Sequence, residues 1–226
     1  MNITTVNQQS AVSYSNEKCI LCGSSGLSLF YQNAKRDFLL CPECDLVFVP
    51  ENQRLNSKEE FRRYNFHQNN PEDEGYRKFL NRIFKPMNDL IYPGSKGLDF
   101  GSGPGPVLSL MFSEVGHDMN IYDHYFNNDR SVFKKKYDFI TATEVVEHLF
   151  DPLKELELLW FCLNQGGYLG IMTNLVKDQE SFPKWYYKDD ETHVTFFSEN
   201  TFLWLQKKWN SSVSFVSENV IIFEKP

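Results

Sequence analysis

The sequence lacks what would tie it to a membrane, to an extended nucleic acid or to an oxidising compartment. Its longest apolar run is LLWFCL, residues 158–163, against the roughly 20 residues a bilayer-crossing helix needs. The first residues, MNITTVNQQSAVSYSNEK, are polar with no apolar stretch, so a secretory signal is not expected and a cytoplasmic location is. There is no basic excess. The net charge is −7; residues 1–95 carry 11 basic and 11 acidic side chains, leaving 12 and 19 for the rest. A long nucleic-acid footprint needs a positive field that neither part supplies. The densest basic run, Lys134-Lys135-Lys136, reads as a solvated loop. No internal repeat is visible. At 226 residues the chain can bury one good core plus a small appendage.

Cysteine is scarce but patterned. Cys19-x2-Cys22 and Cys41-x2-Cys44 lie 18 residues apart, the spacing of a four-thiolate zinc site in which each pair grips one side of the ion from a tight turn. Two disulfides are the alternative, but no secretory signal accompanies them. Cys162 sits in the apolar run and reads as a buried small hydrophobe.

Residues 1–17 read as a disordered tail and 18–50 as a zinc ribbon closed by Pro50. Residues 51–95 read as a helical linker or lid. One helix covers 57–67 with Ser57 as its cap, and a second follows Pro71, is split or kinked by Pro86 and ends at Pro93-Gly94. From Lys96 strands and helices alternate. Strands are expected at KGLDF, DMNIY, YDFITA and GGYLGIMT, and helices at 105–115, 151–164 and 198–209, with Asp151 and Ser198 as caps. A hairpin turning near Glu218-Asn219 ends the chain. Alternation of this kind implies a doubly wound, mostly parallel α/β sheet over 96–226, here with an antiparallel C-terminal strand.

The stretch GLDFGSGPGP, Gly97 to Pro106, turns a buried strand into a helix over three alternate glycines, Gly101, Gly103 and Gly105. A dinucleotide fingerprint places its third glycine one residue later. Pro104 and Pro106 also remove two amide donors that a pyrophosphate would use. The turn thus suits a ligand that packs on backbone with few anion contacts. Asp123 closes the next strand 18 residues after Gly105, where an acid pairs with ribose hydroxyls in such sheets. Together they suggest a nucleoside without phosphates. The other reading of Asp123 is a surface-loop acid.

LDFGSGPG, the YD at 122–123, YDFITATEVVEHLFDP, LNQGGYLGIMT and THVTFFSENTF stand in the order of the motifs of class I S-adenosylmethionine-dependent methyltransferases. The chain resembles that family over about residues 57–226, nearest to the ubiquinone-biosynthesis methylases, and an N-terminal zinc ribbon recurs in some bacterial members. The resemblance implies a Rossmann-like fold binding S-adenosylmethionine. Asp99, Gly101, Ser102, Gly103 and Gly105 would surround its amino acid portion, Asp123 its ribose, and Thr143 and Glu144 the sulfonium side. Glu144 could equally be a helix-start carboxylate without a ligand. Only 13 residues separate Asp123 from Tyr137, too few for the family's full helix and third strand; SVF, residues 131–133, is a candidate remnant.

His193, His148 and Tyr187 are the candidate catalytic residues. His193 lies in an aromatic segment with Trp185, Tyr186 and Tyr187 that can wall an acceptor pocket; it reads as a base, or as a structural histidine bonded to backbone. Glu144, Glu147 and His148 could make a divalent-metal site or a proton acceptor, or Glu147 and His148 could brace the next helix. Tyr64 and His67 are candidate lid contacts. The favoured acceptor is a small molecule. RNA or protein recruited by the ribbon, which carries Lys35-Arg36, is the alternative, and a non-catalytic cofactor-binding module the third reading.

Overall fold

The computed structural model describes Tyr14, residues 17–64 and residues 69–226. Most of the tail expected over 1–17 lies outside the described residues, as does His67. Near the N-terminus, β1 (Ser28–Gln32) and β2 (Asp37–Leu40) pair as an antiparallel hairpin, and β3 (Val47–Phe48) lies against β2. The hairpin turn is set by Asn33, whose Oδ1 accepts from the amides of Lys35 and Arg36 at 2.9 and 2.8 Å.

Two helices follow. In α1 (Ser57–Tyr64) Ser57 is already helical. The cap is Asn56, whose Oδ1 accepts from Lys58 and Glu59 N at 3.1 and 3.2 Å. In α2 (Glu74–Asn88) Asp73 caps the start and Pro86 lies inside the last turn without splitting the helix. The carbonyl deprived of its partner there is that of Arg82, an exposed residue, where water can replace the lost amide. The helix ends at Asn88, short of Pro93.

The remaining elements are β4 (Lys96–Phe100), α3 (Val107–Glu114), β5 (Asp118–Tyr122), β6 (Tyr137–Thr143), α4 (Pro152–Cys162), β7 (Leu163–Met172), β8 (Thr195–Phe196), α5 (Glu199–Trp209), β9 (Ser212–Ser217) and β10 (Val220–Glu224). Six of these strands form one sheet in the order β5-β4-β6-β7-β10-β9. β4 to β7 are mutually parallel, and β10 is antiparallel to both β7 and β9. The continuous burial of β4 and β10 fits strands covered on both faces. β4 has β5 on one side and β6 on the other, so the crevice where ligands sit in such sheets opens at the carboxyl ends of these three strands. The SVF segment is not a strand remnant: it lies in a short 3-10 turn, Arg130–Lys134, with Val132 buried and its carbonyl accepting from Tyr137 Oη at 2.9 Å. The sheet therefore stops at β5.

β8 falls in a stretch with no strand signal, and it has a particular use. It pairs with β3, giving a second sheet of order β1-β2-β3-β8. Phe30, Phe38 and Val47 pack in one apolar cluster with Phe182, Tyr187 and Phe196. A second cluster runs from Leu21, Leu46 and Phe48 to Leu98, Ile140 and Ile171 in the large sheet. The packing thus crosses the boundary expected after residue 50.

Candidate active site

At the carboxyl end of β4 the backbone turns through Gly101 and Gly103, at φ of 76° and 66°, the left-handed region glycine tolerates. The amides of Gly101 and Ser102 donate to Tyr122 O at 2.7 and 3.2 Å, tying the turn to the end of β5. Asp123 completes the knot. Its Oδ2 accepts from Gly103 N at 2.9 Å and its Oδ1 from Tyr125 N and Phe126 N at 2.9 and 3.0 Å. The space vacated at two of the glycines belongs to the protein, which corrects the view that they clear a ligand's approach. A Cβ on Gly101 would stand 2.3 Å from Val145 Cγ2, and one on Gly105 2.2 Å from Asn69 O.

Beside this turn lies a cavity of about 640 Å³ whose walls include Asp99, Gly101, Ser102, Gly103, Gly105, Asp123, Thr143, Glu144, His148 and His193. The structure thus gathers every residue expected around a cofactor into one space with both histidines. Three polar atoms here are buried with no partner among the described residues: Ser102 Oγ, Thr143 Oγ1 and Glu144 Oε1. Leaving such atoms unpaired carries a desolvation cost. Glu144 is a non-glycine residue at φ 51°, its amide held by Met172 O at 2.8 Å. Burial, reinforced by the neighbouring Glu147, pushes its carboxyl up to about 8. Burial also pushes Asp99 up to about 6, against the hydrogen bond its Oδ1 accepts from Thr141 Oγ1 at 2.9 Å.

On the cavity wall the two histidines face each other with ring centroids 4.7 Å apart. His148 Nδ1 lies 3.1 Å from Thr192 O, and His193 Nδ1 2.7 Å from Tyr187 O. A carbonyl only accepts, so both Nδ1 atoms carry the proton and both Nε2 atoms keep a lone pair in the neutral rings. His193 is 8% exposed, and burial holds its imidazole below the usual histidine range. Glu147 is fully buried, accepting from Thr173 Oγ1 at 2.9 Å and from Tyr187 Oη at 2.5 Å. The Tyr187 hydroxyl is thus spent on Glu147, and Tyr187 lies outside the main cavity, on a side recess of about 310 Å³ that also touches Arg82, Asn174 and His193. The closest grouping of possible metal ligands here is Glu147, His148 and His193, not the Glu144, Glu147 and His148 set expected from the sequence.

Two residues on the cavity wall went unread in the sequence. Glu60, the buried residue of α1, accepts from Tyr64 Oη at 3.0 Å and Tyr125 Oη at 2.6 Å. Asn69 lies over Gly103 and Gly105. A carboxylate in a charged helix and an asparagine among polar neighbours carry no pattern that sets them apart. Tyr64, flagged as a lid contact, stands on this wall with its ring 5.4 Å from His148.

The four paired cysteines converge elsewhere. All are free thiols, and their sulfurs lie within 4.8 Å of one another, with Cys19 and Cys44 at 3.5 Å and Cys22 and Cys41 at 3.4 Å. The Cys22 amide points at Cys19 Sγ from 3.5 Å. Cys162 is buried apart from them.

A family model described as a methyltransferase domain matches residues 61–212. The match takes in about two thirds of the chain, and the protein belongs to that family. Among solved structures it is similar to the 1,6-didemethyltoxoflavin-N1-methyltransferase of Burkholderia thailandensis, at 13% identity over 86% of this chain and 97% of that one, with a TM-score of 0.48. It is also similar to the magnesium protoporphyrin IX methyltransferase of Synechocystis PCC 6803, at 13% identity over 76% and 96% of the two chains and a TM-score of 0.47.

Proposed function

We propose that the protein transfers a methyl group from S-adenosylmethionine to a small-molecule acceptor held at the histidine end of the cavity. The observation that carries this reading is the cavity of about 640 Å³ beside the glycine turn, whose walls include Asp99, Ser102, Asp123, Thr143 and Glu144. These polar side chains, beside the apolar Phe100, Val107 and Leu108, fit a cofactor that is part polar and part apolar. When bound, S-adenosylmethionine supplies an electrophilic methyl group on a sulfonium. The residues Asp99 and 101–105 would hold its amino acid part, Asp123 its ribose hydroxyls, and Thr143 and Glu144 the sulfonium side. His193 is the proposed base, taking the acceptor's proton at Nε2 while Nδ1 stays on the Tyr187 carbonyl. His148 stands beside it, and Glu147 favours the imidazolium that forms. A base of this kind contributes about 10²–10⁴-fold where the acceptor must lose a proton. Tyr187 acts through Glu147 as a positioning residue. The ribbon offers little to an RNA acceptor, because Arg36 is buried and Lys35 pairs with Glu191 at 2.6 Å.

One zinc ion held by Cys19, Cys22, Cys41 and Cys44 completes the proposal. Four thiolates at about 2.3 Å from one ion lie about 3.8 Å apart, close to the sulfur spacings given above. A four-thiolate site has no open position, so its role is structural.

Thr143→Val tests the cofactor assignment. It removes an unpartnered hydroxyl at nearly constant shape, so the free protein should be as stable or more stable, while calorimetric affinity for S-adenosylhomocysteine falls by about tenfold. Wild-type protein that shows neither binding heat nor thermal stabilisation with S-adenosylhomocysteine would overturn the reading.

A further inference from the structure

Arg36 stands at the tip of the β1–β2 hairpin, yet it is 5% exposed. Its guanidinium donates to four main-chain carbonyls of one short segment. Nη1 reaches Glu191 O at 3.3 Å and His193 O at 2.9 Å; Nη2 reaches Asp190 O at 3.0 Å and also Lys188 O. The planar guanidinium fork suits such a multiple grip, whereas a lysine ammonium is a point charge with three donors. The hairpin backs the fork. Asn33 N donates to Arg36 O at 3.0 Å, and the guanidinium sits 5.3 Å from the Phe38 ring centroid.

The segment it grips also sets the histidines. Tyr187 O accepts from His193 Nδ1 and Thr192 O from His148 Nδ1. Val194 N donates to Glu147 O at 2.8 Å, and Val194 O accepts from Val49 N at 2.9 Å. Between residues 182 and 194 the backbone has only short 3-10 turns, so it has no regular ladder of its own to hold this shape. Four of its carbonyls are instead held from outside by one side chain of the ribbon.

We infer that Arg36 is a positioning residue for the reaction: from the ribbon it fixes the segment that carries His193 and orients His148. The ribbon is then part of the acceptor site. This inference rests on the proposed role of His193.

The test uses full-length, zinc-loaded Arg36→Met and needs no acceptor. Zinc per chain and calorimetric affinity for S-adenosylhomocysteine report on the ribbon and the cofactor cavity; both should match wild type. Amide exchange over residues 187–193 should quicken by about tenfold or more, because charge-assisted hydrogen bonds are lost. The NMR titration of the His193 ring, assigned with His193→Gln, should move up toward the ordinary histidine range as the ring loses its burial. Added guanidinium should partly reverse both changes in Arg36→Ala. If Arg36→Met does not fold, Arg36→Lys keeps the charge without the fork and should shift both readouts in the same direction by less. Unchanged exchange and an unchanged His193 titration overturn the inference. Loss of zinc alongside the faster exchange also overturns it, since Arg36 would then be holding the ribbon together. Failure of the wild type to bind S-adenosylhomocysteine would count against the methyltransferase reading and leave the exchange result standing.

Discussion

The cysteine site and the cleft above β4 both hang on a glycine at the same backbone angle, φ 75° at Gly23 and 76° at Gly101. Both gather polar atoms from segments far apart in sequence. They differ in the space that those atoms surround. The cysteine sulfurs face one another, and Ser24 Oγ closes on Cys41 and Cys22 at 3.1 and 3.2 Å. Of the five buried side-chain nitrogen and oxygen atoms without a partner among the described residues, none lies in residues 17–50, and three belong to residues that line the cleft. Four sulfurs within 4.8 Å of one another leave room for a single ion, whereas a cavity of about 640 Å³ has room for a molecule. The size of the space therefore separates a candidate ion site from a candidate site for a small molecule without reference to either motif.

The largest effect should come from opening the closed site. Cys44→Ala, or removal of zinc with a strong chelator, withdraws a term of about 10–16 kcal/mol in isolated zinc modules. The zinc content should fall to near zero and β1 to β3 should unfold, exposing Phe30 and Phe38, two core residues. Proteolysis would then cut within residues 18–50 first. A zinc-free chain with unchanged thermal unfolding would erase the distinction between the two regions.

The next test uses the shared backbone angle. Alanine at either glycine adds left-handed strain of about 1–2 kcal/mol. At Gly23 a Cβ meets nothing within 4 Å, whereas at Gly101 it meets Val145 at 2.3 Å. Gly23→Ala should lower the melting temperature modestly and keep its zinc. Gly101→Ala should push Val145 or the turn aside and weaken S-adenosylhomocysteine binding by more than tenfold, with zinc retained. Equal effects of the two substitutions on calorimetric affinity would remove the steric argument.

What could be read in the sequence follows the same division. Motifs whose geometry is local were legible: the cysteine knuckles, the strand-to-turn run Leu98 to Gly105, and the Ser198 cap, whose hydroxyl accepts from Thr201 N at 3.1 Å. Features made by distant contacts were not. β8 is only two residues long and exists because β3 offers an edge. Asn56 and Ser57 are both good caps, and only the backbone shows which one is used. Arg36 read as a surface cation beside Lys35 because its four carbonyl partners lie more than 150 residues away. The glycine turn was legible as a turn, but Gly101 is crowded by Val145 and Gly105 by Asn69, neighbours that no spacing reveals.

A smaller effect should follow the buried carboxyl of the cleft. Burial, with Glu147 beside it, pushes the Glu144 carboxyl up from 4.5 to about 8, against the hydrogen bond from the Tyr187 hydroxyl. Below pH 4.5 both states are protonated and the group costs nothing. As pH rises the unfolded chain releases its proton while the folded one keeps it, so stability declines until about pH 8 and then levels off. Asp99, raised to about 6, adds a decline of the same sign at lower pH. Glu144→Gln should remove its share, leaving the variant more stable than wild type at pH 8 and close to it at pH 4. Thermal unfolding of the free protein at a series of pH values measures the gap. A gap constant across that range would mean that Glu144 ionises normally.

The smallest effect compares two neighbours in sequence. Lys35 and Arg36 both leave the β1–β2 turn toward residues 188–193, but Lys35 reaches the Glu191 carboxylate in water, 2.6 Å away, with its own side chain 74% exposed. An exposed pair of this kind is worth about 0–1 kcal/mol, and Glu191 keeps a second cationic partner in Arg63. Lys35→Ala should therefore change the melting temperature by a degree or two at most, with that change shrinking as salt is added. Exchange over residues 187–193 should stay at the wild-type rate, since none of the carbonyls held by Arg36 depends on Lys35. A Lys35→Ala variant that loosened the segment as much as Arg36→Met would show that surface charge, and not the buried guanidinium, shapes the histidine end of the cavity.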